Sequence, residues 1–172
     1  MRRPISVRVV GPLQWVVYPA LLAIAATVVL SVPLRLFGLS LPEPVFPLVL
    51  AFAWPMIRPS AIGPVVLFLL GLFLDLFWGG PLGLWGLSFL MVYGGMLLAH
   101  TFMSGHAPVI NIVLYVGAVL LAFFVAYVVT ALRLNNAPSL LALVGQMIPT
   151  LLLYPVADWL VQKFDDNDVR FV

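Results

Sequence analysis

Cysteine is missing from this 172-residue chain, and charge nearly so: eight Lys and Arg and six Asp and Glu make up 8% of it. The first absence excludes a disulfide framework, thiolate catalysis and a cysteine metal site. The second argues against a soluble domain, in which about a quarter of residues are charged. What fills the chain is apolar: 64% of residues are hydrophobic, against roughly 45–50% in soluble proteins. At about 20 residues per span, the length admits five or six transmembrane helices. That leaves no room for a nucleotide-binding domain, a large catalytic domain or an extended ectodomain. No cofactor, metal or nucleic-acid partner is expected.

Residues 1–13 read as a basic arm carrying Arg2, Arg3 and Arg8, with Pro4 and Pro12 against a continuous helix. The arm resembles the start of a signal peptide, and Ala23-Ile-Ala25 a cleavage site. The apolar run continues to Leu34, however, so a retained first helix is expected. Spans are predicted at about 14–37, 46–57, 62–78, 84–102, 109–132 and 140–164. Pro33 is expected to kink or end the first, and Pro149 and Pro155 interrupt the last. The second is short and holds Pro47 and Pro55, so it is either a tilted short helix or a re-entrant segment buried in protein. Ser60 is a candidate N-cap for the third span. Residues 165–172 read as a frayed polar tail, and no strand pattern is evident. The expected fold is an all-α integral membrane protein: one transmembrane domain, a six-helix bundle.

Orientation follows Lys and Arg. Six spans put Arg2, Arg3, Arg8, Arg58, Lys163 and Arg170 on one side and Arg35 and Arg133 on the other, so both termini are expected in the cytoplasm. A re-entrant second segment would move the C-terminus outside. Trp15, Tyr18, Trp54 and Trp159 would form one interfacial belt, Trp78 and Trp85 the other.

The stretch that organises the rest runs from Gly71 to Leu87. It places one carboxylate, Asp75, in an apolar helix that breaks at Gly79-Gly80-Pro81. A charge in hydrocarbon costs at least about 2.5–3.5 kcal/mol, which makes such a residue a functional candidate by default. Asp75 lies near the C-terminal end of its helix, where the macrodipole disfavours an anion. It therefore needs a partner. Arg133 and Arg35 are the available counter-charges; alternatively the carboxylate binds backbone N–H groups of the turn or of the next helix. Gly71, Asp75 and Gly79, four residues apart, would share one face and let a second helix approach closely.

Other candidates are weaker. Asp158 reads as an interfacial carboxylate, reaching water or Arg58, and lies toward the opposite membrane face from Asp75. A two-carboxylate active site is thus not expected. His100 and His106 are six apart, which does not suit a metal pair on a helix. Ala118, Ala122, Ala126 and Thr130 form a small-residue stripe for close helix contact, with a partner either internal or in another subunit. Span one has the weaker series Ala23, Thr27, Ser31. Asn111 and Gln146 are expected to hydrogen-bond between helices. Phosphate-loop, nucleophile-elbow and zinc-protease motifs are missing, so an enzyme is not expected.

The pattern Gly71-x-x-x-Asp75, then Gly79-Gly80-Pro81-Leu-Gly83-Leu-x-x-Leu-Ser88, resembles the signature of the rod shape-determining MreD family. It covers some twenty residues; the chain length, the basic N-terminus and the last helix from Leu151 onward are compatible. The resemblance implies a non-enzymatic protein of the bacterial inner membrane, part of the machinery for lateral peptidoglycan synthesis. It implies binding to the single-span protein MreC, and through it a link between MreB filaments and the wall-building glycosyltransferase and transpeptidase. It further implies a fold similar to the substrate-capturing subunits of energy-coupling-factor transporters, with Asp75 and the Gly79–Gly83 turn near a pocket open to the outside. The short, proline-rich second span departs from that fold. The alternative is a transport subunit that captures a small molecule. A homo-oligomer is left open.

Overall fold

The computed structural model describes residues 8–11, 13–31, 35–36, 39–40, 42–102, 108–134, 139–165 and 169–171. Seven α-helices carry the fold among them. They are α1 (Tyr18–Leu30), α2 (Pro47–Ile57), α3 (Ile62–Trp78), α4 (Leu84–Phe102), α5 (Pro108–Leu134), α6 (Leu140–Leu151) and α7 (Tyr154–Asp165). A π-helical turn, Leu13–Val17, leads into α1. The fold is all-α apart from strands of two or three residues: β1 (Arg8–Val10), β2 (Arg35–Leu36), β3 (Leu39–Ser40) and β4 (Val169–Phe171).

The short second helix is the centre of the molecule. Every residue of α2 from Pro47 to Met56 is buried, and it packs against α1, α3, α4, α5 and α7. Eleven residues rise only about 16 Å at 1.5 Å each. Its apolar side chains point in all directions, as a helix enclosed on every side requires. Pro47 stands in the first turn, where its missing N–H costs nothing, and Pro55 in the last.

Around this axis α3 pairs with α4, α4 with α5, and α7 lies along α2. The N-cap of α3 is Ala61, not Ser60; Ser60, one residue earlier, still takes up a first-turn donor, its Oγ accepting the Gly63 N–H at 3.2 Å. Tyr93 on α4 ties down the same turn, its hydroxyl accepting the Ser60 N–H and donating to the Ser60 carbonyl, both at 3.1 Å. The last expected span is not one continuous helix. Pro149 and Pro155 remove two donors, and the chain turns at Leu152-Leu153, bending α6 from α7 by 40°. Buried Thr150 sits at this break. Its Oγ1 donates to the Gln146 carbonyl (2.8 Å) and accepts the Val45 N–H (3.1 Å), while Tyr115 Oη of α5 donates to its carbonyl at 2.8 Å.

Several expectations are corrected. The first helix ends at Leu30, not Phe37; a proline at 33 disfavours helical geometry just before it, and residues 35–36 and 39–40 form an antiparallel pair instead. The tail is not frayed throughout: β4 pairs in parallel with β1, Arg8 opposite Val169 and Val10 opposite Phe171. Val9 and Val10 of β1 and Val169 and Phe171 of β4 are residue types that favour strands. Trp15, Trp54 and Trp85 are not belt residues but core, each at most 7% exposed. Of the belt expected from Trp15, Tyr18, Trp54 and Trp159, Tyr18 and Trp159 are at the surface.

By length and composition, Val109–Arg133 is a helix able to cross a membrane, and α6 with α7 passes as one bent span. Large apolar side chains are exposed along α1, α3, α4, α5, α6 and α7, including Leu22, Leu69, Met91, Phe124, Leu141 and Trp159.

Candidate functional site at the turn between α3 and α4

The residues of this turn are fixed from the backbone outward. Gly79 adopts φ 66°, the left-handed geometry that ends α3 at little cost only for glycine. The Asp75 carbonyl accepts the N–H groups of Gly79 and, at 2.9 Å, of Gly80. Pro81 cannot continue a helix, and its carbonyl accepts the Leu84 N–H at 3.1 Å as α4 begins. Gly83, at φ 88°, is the second left-handed position.

Asp75 then acts a second time, through its side chain. Its Oδ2 accepts the Gly83 N–H at 2.7 Å and its Oδ1 the Trp85 N–H at 3.0 Å. These are donors at the start of α4, which have no partner within that helix. The carboxylate is 1% exposed. It sits at the C-terminal end of one dipole and the N-terminal end of another, and the second favours an anion. Each hydrogen bond to a charged group contributes about 1.5–3 kcal/mol, which offsets part of the cost of taking the acid out of water.

The partner of Asp75 is therefore backbone. Its oxygens face backbone N–H groups of Gly83, Leu84 and Trp85, and the expected counter-charge from Arg133 is corrected: that residue is exposed at the end of α5. The Arg35 side chain lies outside the described residues. Gly71 and Asp75 do share the face turned to α4, both buried. Gly79 does not, since it has left the helix. At Gly71 the approach is extreme: a Cβ there would fall on the backbone nitrogen and Cα of Gly86. Ser88, fully buried, donates its hydroxyl to the Leu84 carbonyl at 2.9 Å.

An aromatic group closes over the turn. Trp78 and Trp85 meet edge to face with centroids 5.7 Å apart, and Trp85 meets Phe123 of α5 in the same way at 5.6 Å. Trp78 Nε1 donates to Glu43 Oε2 at 3.0 Å, tying the segment before α2 to the end of α3. Sequence reasoning missed Glu43. Its signal was available: with Asp75, it is one of two acids that six spans place at this end of the bundle. Thr150 was also missed; a threonine directly after a proline inside an apolar helix was its signal.

The small-residue stripe on α5 faces inward. Ala118, Ala122 and Ala126 are buried, and Thr130 donates to the Ala126 carbonyl at 2.7 Å. Its partners are helices of the same chain. In α1, Ala23 and Thr27 are buried likewise, the Thr27 hydroxyl donating to the Ala23 carbonyl at 2.8 Å. Asp158 binds within its own helix, accepting Gln162 Nε2 at 2.6 Å and Tyr154 Oη at 3.4 Å. His106 and the side chain of His100 lie outside the described residues. Among the described residues, no group of three or more His, Asp or Glu side chains is placed to hold a metal.

Chemically, the site is a clasp. Asp75 takes backbone N–H donors on both oxygens and has almost no access to solvent, and it holds the two sides of a turn together. Compared with family models, with curated proteins and with solved structures, the chain finds no match.

Proposed function

We propose that this chain is a non-enzymatic scaffold of the bacterial inner membrane, a member of the rod-shape machinery that binds MreC and holds a place among the enzymes of lateral wall synthesis. The observation that carries the proposal is the Asp75 clasp. The spacing that resembles the MreD signature is the spacing this turn uses: Gly71 for the helix crossing, Asp75 and Gly83 for the capping bonds, Gly79 for the left-handed stop. A signature made of structural parts suits a protein that offers a surface rather than a reaction.

Six crossings are proposed: α1, α2, α3, α4, α5 and the bent pair α6–α7, with α2 shielded from lipid by its neighbours. The apolar side chains exposed on the six outer helices support this. The parallel pairing of β1 with β4 favours both termini on one side, proposed as the cytoplasm. A small-molecule transporter would want polar groups lining an open cavity. Three candidates for that role, Ser88, Tyr93 and Tyr115, are buried and bonded to backbone carbonyls.

The test is co-purification with MreC from membranes, with the wild-type chain and with Asp75→Asn. Retention of MreC by the wild type, weakened in the variant alongside loss of rod shape, supports the scaffold. A wild-type chain that captures no MreC, or that moves a small molecule across vesicles unaided, overturns it.

A further inference from the structure

The gap between α1 and α7 is the feature that neither the clasp nor the scaffold reading uses. Both helices rest on α2, and they leave a groove between them. Its middle is a cavity of about 260 Å³ walled only by apolar side chains, among them Leu22 and Ala26 of α1, Leu50 of α2, and Val156 and Leu160 of α7. A second cavity, of about 320 Å³, shares Leu22 and Leu160 with the first and adds Gln14, Tyr18 and Lys163. The groove thus runs from a purely apolar stretch to a polar, cationic mouth. The Lys163 ammonium stands 4.4 Å above the Trp159 ring, a contact that steadies it at the mouth. The acid five residues earlier, Asp158, is engaged by Gln162 and Tyr154.

We infer that this groove seats an anionic phospholipid, one acyl chain between α1 and α7 and the phosphate on Lys163 and Gln14. The inference rests on the membrane placement proposed above. Apolar walls alone would not select any lipid, because bulk lipid tails are as apolar as leucine; the selecting element is the cation at the interface. A partner's transmembrane helix fits less well. Close helix packing asks for small residues at the rim, whereas the rim here is Leu22, Val156 and Trp159, each more than half exposed. The small Ala23 lies buried at the base. Such a slot admits a thin chain.

The full chain is reconstituted in nanodiscs of equal phosphatidylglycerol and phosphatidylcholine, and the lipid kept after detergent washing is read by native mass spectrometry. Wild type is expected to keep one phosphatidylglycerol in preference to phosphatidylcholine. Lys163→Gln, an exposed position, should lower that preference about fivefold, the weight of one interfacial cation. Ala26→Trp should fill the slot and abolish retention; Leu22→Trp, at the open rim, is the second blocking variant should Ala26→Trp unfold. Equal retention of the two lipids by wild type, an unchanged preference in Lys163→Gln, or retention undiminished in a folded blocking variant overturns the site. So does a photo-cross-linker at Leu22 that yields a discrete protein adduct in place of lipid. Alkaline washing of membranes separates the two levels: a chain that stays in the membrane without lipid preference sinks this site alone, and a chain that washes out sinks the membrane placement as well.

Discussion

Gly71 and Gly86 meet backbone to backbone where α3 crosses α4. A Cβ on Gly71 would lie on the nitrogen and Cα of Gly86 and 2.6 Å from the Trp85 carbonyl carbon. The converse Cβ, on Gly86, would come 2.9 Å from the Phe68 ring. This contact sets the distance at which the Asp75 carboxylate reaches the first N–H groups of α4.

Gly71→Ala must therefore push the two helices apart. Overpacking of a tight core costs about 1–3 kcal/mol, and here the obstruction is backbone, which cannot rotate away. Gly94→Ala, on the same pair of helices, meets nothing within 4 Å and should be neutral or stabilising by up to about 1 kcal/mol. Thermal unfolding of the two variants in detergent checks the contrast.

Asp75→Asn keeps one acceptor oxygen and turns the other into an N–H₂ group facing a backbone N–H. One buried donor is left unsatisfied, at about 1–3 kcal/mol. Asp75→Ala, which loses both bonds and leaves a void, should be the less stable of the two. Their order in unfolding midpoint tests whether the carboxylate acts as a cap.

Tyr115→Phe removes the bond to the Thr150 carbonyl, and Thr150→Val strips the Val45 N–H of its acceptor. Side-chain hydrogen bonds between membrane helices average about 0.6 kcal/mol, so the first change should be mild. The second should cost more, since it strands a buried donor. Because both touch one residue at the α6–α7 break, the double variant should depart from additivity by about 0.5 kcal/mol or more.

Ala122→Leu adds bulk where the side chain is fully buried, facing the inside of the bundle. A loss of about 1–3 kcal/mol is expected. Leu120→Ala, half exposed on the other side of α5, should leave the unfolding midpoint nearly unchanged. Equal effects would mean that the stripe does not face inward.

How much of this was legible in the sequence depends on which residues carried local signals. The bounds of α3 and α4 coincide with those expected, because glycine and proline punctuate both ends. Ser60 was recognisable as an acceptor at the start of α3, one residue off the N-cap position, and Gly71 as a point of close approach, from chemistry and spacing alone. The Asp75 bonds were foreseeable as one of two alternatives, since the C-terminal dipole demanded some partner; which one won depended on how α4 folds back, a tertiary matter. Glu43 and Thr150 gave faint signals, because a single polar residue between prolines reads first as a loop or a kink. Trp15, Trp54 and Trp85 misled, since aromatic rings near the ends of apolar runs suit either a membrane interface or a core, and only packing separates the two. The β1–β4 pair was out of reach, because its two strands are stabilised by each other across most of the sequence.

The enclosure of α2 has a consequence for how the molecule is made. This helix leaves the ribosome before α3, α4, α5 and α6, and α7, which lies along it, only after them. Until α7 is made, this helix must wait without one of its walls. A message cut short before Tyr154 would yield a chain whose central segment stays uncovered, marked for proteolysis however well its earlier helices had formed.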